Sequence, residues 1–171
     1  MSKEQRDREI QGYERMLERL RDRLESAERE FTPRVREALE HARDRAVELG
    51  ELTREEADRV ATSLRRDLED AADYTARHDT DLNAWLRMDV QLVENWLWDQ
   101  FSSVADRTRL EWLQFQQWLE RAAEYHTGEI AGPGALHCTD CGETLTFTKA
   151  GHIPPCPKCR GTVYRRTPMT Q

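Results

Sequence analysis

Two stretches decide how this chain is read: Cys138-Thr139-Asp140-Cys141-Gly142, and Cys156-Pro157-Lys158-Cys159-Arg160-Gly161. Each carries a C-x-x-C pair, fourteen residues lie between the pairs, and the chain has four cysteines in all. Two cysteines three apart grip one ion from a single tight turn. Two such turns joined by a short hairpin complete a tetrahedron of thiolates, the arrangement Zn²⁺ favours. Gly142 supplies the positive φ such a turn needs, and Pro157 stiffens the second pair. Between the pairs, Thr144-Leu145-Thr146-Phe147-Thr148 alternates polar and apolar like a half-buried strand. Lys149-Ala150-Gly151 reads as a turn, and Thr162-Val163-Tyr164-Arg165-Arg166 as the returning strand. Spacing, glycines and strands agree on a small β zinc ribbon holding one structural Zn²⁺ through Cys138, Cys141, Cys156 and Cys159.

The residues leave two alternatives open. Iron takes the same four thiolates, and two disulfides suit an exported protein. A thioredoxin-like motif needs a βαβ context that is missing here. Four thiolates leave no position for water or substrate, so a catalytic metal is not expected. His137 and His152 flank the cysteines and read as surface or strand histidines rather than ligands. A tail of fewer than forty residues buries little core. Structural zinc contributes on the order of 10–16 kcal/mol in finger peptides, so the ribbon should unfold without metal.

Upstream the composition changes. The whole chain is 35% charged and 37% hydrophobic, with mean hydropathy −0.89 and net charge −7. Residues 135–171 are basic: Asp140 and Glu143 stand against Lys149, Lys158, Arg160, Arg165 and Arg166. The remainder is therefore more acidic than the whole and should repel nucleic acid and anionic membranes. No apolar run approaches a membrane span and no signal-peptide core is present, so a cytoplasmic location is expected.

Residues 3–31 read as one long helix. Ile10, Tyr13, Leu17, Leu20, Leu24, Ala27 and Phe31 form a heptad seam among charged neighbours, and the seam needs a partner helix from this chain or another copy. Thr32-Pro33 opens a second helix, or a kinked continuation of the first, with Val35, Leu39, Ala42, Ala46 and Leu49 on its seam and Gly50 as its stop. Thr53-Arg54-Glu55-Glu56 is a capping box for a third helix, which buries Ala57, Val60, Leu64, Leu68, Ala71 and Ala72. A break is expected near His78–Asp81, followed by a helix over 82–104 with a broad apolar face that includes Phe101 and Val104. Asp106 or Thr108 caps a last helix, with Thr108 and Glu111 spaced as a capping box and Trp112, Phe115, Leu119 and Ala122 on its face. Trp98 projects away from Trp96 and must meet a second surface, the ribbon, another helix, a second copy or a partner, which makes it a candidate partner contact.

The architecture expected is mainly α: long amphipathic, coiled-coil-like helices in a hairpin or bundle over 1–126, a Gly/Pro joint over 127–134, and the ribbon over 135–171. Within the joint, Glu129-Ile130-Ala131 is placed to pair as an extra strand, which would dock the ribbon on the helices.

Several segments together resemble the bacterial zinc-ribbon-containing family typified by YbeL: Gly50-Glu51-Leu52-Thr53-Arg54, Leu64-Arg65-Arg66-Asp67-Leu68-Glu69, Leu110-Glu111-Trp112, and Tyr125-His126-Thr127-Gly128-Glu129 leading to Cys138. The resemblance covers nearly the whole chain. It implies a helical N-terminal region and a metal-binding tail, and it assigns no activity. One departure is Arg160, which stands where many ribbons carry glycine.

Three functions compete. A non-enzymatic adaptor or regulator would act through protein contacts or self-association. A nucleic-acid factor would use Lys149, Lys158, Arg160, Arg165 and Arg166 on phosphate and stack Tyr164 on a base. An enzyme would need a phosphate-cradling loop, a nucleophile–base pair or an open metal site. None of these appears, and no small-molecule substrate is expected. Tyr125 and His126 read as packing the last helix on the ribbon.

Overall fold

The computed structural model describes residues 1–27, 35–78, 95–114 and 124–166. The described residues form four helices and six short strands. Helix α1 spans Lys3–Ala27, α2 Val35–Glu48, α3 Arg54–His78 and α4 Asn95–Gln114. The expected Thr32-Pro33 start, Phe31, the 82–94 part of the apolar face, Phe115 and Leu119 lie outside the described residues, as do the side chains of Ala27, Trp96 and Trp112.

Ser2 opens α1, its Oγ accepting the Gln5 N–H at 3.1 Å. The predicted seam is buried through Tyr13, Leu17, Leu20 and Leu24, and Met16 joins it. Each of the four described helices touches the other three. The covering that the α1 seam requires is thus supplied within the chain. Burying each of these leucines contributes roughly 1.5–3 kcal/mol, so the seam dominates the local energetics.

Helix α2 ends as the sequence indicates. Gly50 adopts φ 67°, while Glu51 N–H reaches back to Ala46 O (3.0 Å) and Gly50 N–H to Val47 O (3.0 Å). These two bonds satisfy carbonyls that the helix end leaves open. Leu49 departs from the expected seam: it is 50% exposed, because the chain turns away one residue before Gly50. The capping box forms reciprocally, with Thr53 N–H on Glu56 Oε2 (2.9 Å) and Glu56 N–H on Thr53 Oγ1 (3.3 Å). The six expected core residues of α3 are all buried.

Helix α4 corrects the reading of two helices meeting near 106–108. It runs unbroken from Asn95 to Gln114. Thr108 is a buried interior residue whose Oγ1 donates to Val104 O at 2.9 Å, so the hydroxyl bonds backward along the helix instead of capping a new one. Phe101 and Val104 are buried as expected, and Trp98 packs partly buried against the same core.

The strands are β1 (Glu124–His126), β2 (Ile130–Ala131), β3 (Gly134–Cys138), β4 (Thr144–Phe147), β5 (Gly151–His152) and β6 (Val163–Arg165). Four form an antiparallel sheet in the order β1-β6-β3-β4, and β2 pairs with β5. The boundary therefore moves from 135 to 124. Glu124–His126 belongs to the sheet, and the expected joint contributes β2 and the start of β3. Strand β6 returns beside β1 and β3 rather than beside β4, because β3 already pairs with β4 on its other edge. The extra strand at Ile130–Ala131 is present, and it docks the ribbon: Ile130 and Ala150 are part of the helical core cluster.

Candidate metal centre

The two knuckles are built alike. In the first, Gly142 N–H reaches Cys138 O at 2.9 Å with Gly142 at φ 71°. In the second, Arg160 N–H reaches Cys156 O at 2.9 Å with Arg160 at φ 65°. Arg160 is the one described non-glycine residue with positive φ, so the second knuckle keeps the shape glycine would favour and carries the strain of a side chain there.

These turns bring Cys138, Cys141, Cys156 and Cys159 together, with all four Sγ atoms within 4.8 Å of one another. Cys138 and Cys159 Sγ lie 3.5 Å apart, and Cys141 and Cys156 Sγ 3.6 Å. Tetrahedral coordination with Zn–S bonds near 2.3 Å places sulfurs about 3.8 Å apart, so the set fits one Zn²⁺. The separations are far longer than the roughly 2.05 Å of a disulfide, and the cysteines are free. The N–H of Cys159, followed by that of Lys158, pulls the Cys156 thiol down to about 7, against the effect of its burial. The Gly161 N–H favours the Cys159 thiolate, yet crowding by the other sulfurs pushes that thiol up to about 12. Four such sulfurs cannot all ionise side by side without a cation between them. Zinc bound here supplies that charge and cross-links β3 to the turn that precedes β6.

Cys138 and Cys156 are buried in a small ribbon core with Tyr125, Ala131, Leu136, Ile153 and Tyr164. Neither flanking histidine joins the sulfur cluster. His137 Nδ1 meets Thr144 Oγ1 at 3.0 Å. His152 Nδ1 donates to Gly128 O at 2.9 Å, with Nε2 3.6 Å from the Glu9 carboxylate.

Two of the residues expected to contact nucleic acid are internal. Tyr164 is fully buried and donates to Pro154 O at 2.8 Å, so its ring cannot stack on a base. The Arg166 side chain is 4% exposed and faces carboxylates of α3 instead of solvent. Arg165 is exposed but paired with Glu124 at 2.7 Å, while Lys149, Lys158 and Arg160 remain at the surface.

The largest feature missed in the sequence is the socket that receives Arg166. Its Nη1 donates to Pro133 O (2.7 Å), Nη2 to Gly132 O (2.9 Å) and Asp67 Oδ1 (3.2 Å), and Nε to Tyr125 Oη (3.2 Å). Asp67, fully buried on α3, also accepts from Tyr13 Oη (2.8 Å) and Gly132 N–H (2.7 Å) through Oδ2. Burial works against the Arg166 charge, but the oxygens of Tyr125, Asp67 and Asp70 hold its pKa above the ordinary arginine value. Burial first, then Asp67, raises Tyr13 well above its usual range, so it remains a donor. Arg66 stacks over the Tyr125 ring at 3.9 Å and pairs with Glu129 at 2.7 Å. Tyr125 thus packs the sheet on α3, while the 115–123 part of the last helix expected beside it lies outside the described residues. One signal was available: Asp67 interrupts the apolar seam between Leu64 and Leu68.

A family described as zinc-ribbon containing domain matches residues 22–168. The uncharacterized protein YbeL of Escherichia coli strain K12 is 32% identical over 162 residues, spanning 93% of this chain and 96% of the relative. YbeL of the O157:H7 and O6:H1 strains matches equally. No solved structure matches the chain. With the cysteine set, the helical region and the match over most of its length in agreement, the chain belongs to the family of proteins with a zinc-ribbon containing domain.

Proposed function

We propose that the protein is a non-enzymatic, zinc-dependent adaptor or regulator that acts through protein–protein contacts. The observation that carries this reading is the docking of the ribbon. Ile130 and Ala150 enter the helical core and Arg166 enters the Asp67 socket, so zinc fixes a composite surface rather than a swinging finger. A closed tetrathiolate set supports a structural role for the metal, and no other group of three or more metal-type ligands exists among the described residues. A nucleic-acid role draws less support. Tyr164 and Arg166 are internal, and the bases left at the ribbon surface include Lys158, 3.9 Å from Glu143. Among the described residues no helix is long and apolar enough to cross a membrane.

The test is native mass measurement of the zinc-loaded full chain recovered from cells, with metal analysis and nuclease treatment. The expected result is one zinc per chain in a stoichiometric, nuclease-resistant protein complex or homo-oligomer. A lone zinc-bound monomer, or a complex that nuclease dissolves, overturns the reading.

A further inference from the structure

The metal site and the Asp67 socket are joined by one short strand. Strand β6 begins four residues after Cys159, and Tyr164 on it pairs with Cys138 on β3. Thr139 N–H bonds Val163 O at 3.1 Å, tying the first knuckle to the same strand. Two residues beyond Tyr164 stands Arg166, in the socket. Ligands at both ends of this arrangement, Cys138 on β3 and Cys159 before β6, therefore set the register that delivers Arg166.

On the helical side, Asp67 accepts from three donors: Tyr13 from α1, and Gly132 N–H and its ion-pair partner Arg166 from the β layer. We infer that zinc occupancy of the ribbon is transmitted to the helical bundle through Arg166 and Asp67. When the metal leaves, β6 loses the knuckle ties on its β3 side and keeps its three-residue pairing with β1, too little to hold its register, and Arg166 and Gly132 withdraw together. Asp67 is left with Tyr13 as its donor. A buried carboxylate short of partners is not stable in a closed core, so the α1–α3 contact around Tyr13 and Asp67 opens to water. The same withdrawal removes Ile130 and Ala150 from the helical core and Glu129 from Arg66. The bundle thus has two states, closed with the ribbon docked and open with the face beneath it uncovered, and zinc sets which one is populated.

The test is hydrogen–deuterium exchange on the full chain, zinc-loaded, stripped by a chelator, and reloaded with zinc. Exchange in α1 around Tyr13 and in α3 around Asp67 should accelerate at least tenfold on stripping and recover on reloading. If the ribbon strands open while these helical segments keep their slow exchange, the inference is overturned. The Arg166→Gln variant retains all four cysteines and should still take one zinc, but its Tyr13 and Asp67 segments should exchange fast with or without metal. A variant whose helices stay slow and keep the full zinc response also overturns it. The wild-type comparison stands on its own if the variant fails to fold. No partner is needed for this behaviour, so its failure and that of the adaptor reading are separate results.

Discussion

Replacing Arg160 by glycine should tighten zinc binding. The two knuckles share one backbone pattern, and each places the fourth residue after its first cysteine in the left-handed region, Gly142 at φ 71° and Arg160 at φ 65°. That conformation costs a residue with a Cβ roughly 1–2 kcal/mol. Glycine gives back about 0.5–1 kcal/mol through the greater freedom of its unfolded chain. The net gain for Arg160→Gly is therefore about 0.5–1 kcal/mol, and little packing is lost because Arg160 is exposed. Folding of a small metal domain and capture of its metal are one event, so the gain should appear as about two- to fivefold tighter zinc. Competition against a chromophoric chelator measures it. The mirror change, Gly142→Ala, has open space around the new Cβ and should weaken zinc by a similar factor. Equal or weaker binding by Arg160→Gly, or an unaffected Gly142→Ala, refutes the backbone argument.

Gly132→Ala should destabilise the chain by about 1–3 kcal/mol in chemical denaturation, because its Cβ would sit 2.5 Å from Tyr13 Oη and 3.2 Å from Asp67 Oδ2. Cys156→Ser should abolish stoichiometric zinc and the ribbon strands, as read by metal analysis and circular dichroism. Glu51 accepts two hydrogen bonds from Arg19, at 2.6 and 2.8 Å, which with Arg15 hold its pKa below the ordinary carboxylate value despite partial burial. Because the folded-state pKa is the lower one, the stabilisation is present above the unfolded pKa and lost as pH falls through the folded one. Glu51→Gln should therefore cost about 1 kcal/mol at neutral pH, with the difference from wild type shrinking as pH falls below the ordinary carboxylate pKa and vanishing below the depressed folded-state one in urea titrations.

Local signals in the sequence survived into the fold. The cysteine spacing located the ligand set, Gly50 and Thr53–Glu56 marked real helix ends, and the 3.6-residue seams of α1 to α3 found most of their buried residues. What failed depended on distant partners. Thr108 looks like a cap from its neighbours, yet tertiary packing carries α4 past it. Strand β3 hides behind Gly132-Pro133-Gly134, which reads as a loop until β4 and β6 flank it. Arg166 looks like surface charge because its acceptors, Asp67 and the carbonyls of Gly132 and Pro133, are remote in sequence. The Leu64–Glu69 and Tyr125–Glu129 segments carried the family resemblance as sequence tags, and in space they form the two sides of the helix–ribbon contact.

The socket also bears on how the chain is made. Asp67 and Arg166 are 99 positions apart, so a nascent chain exposes the carboxylate long before the guanidinium leaves the ribosome. Helices α1 and α3 can form early, but their mutual contact is incomplete until the last strand arrives. A product of premature termination between the end of α3 and that arginine would carry an unfilled anionic hole and a loose bundle, a defect that proteases acting on partly open chains would find.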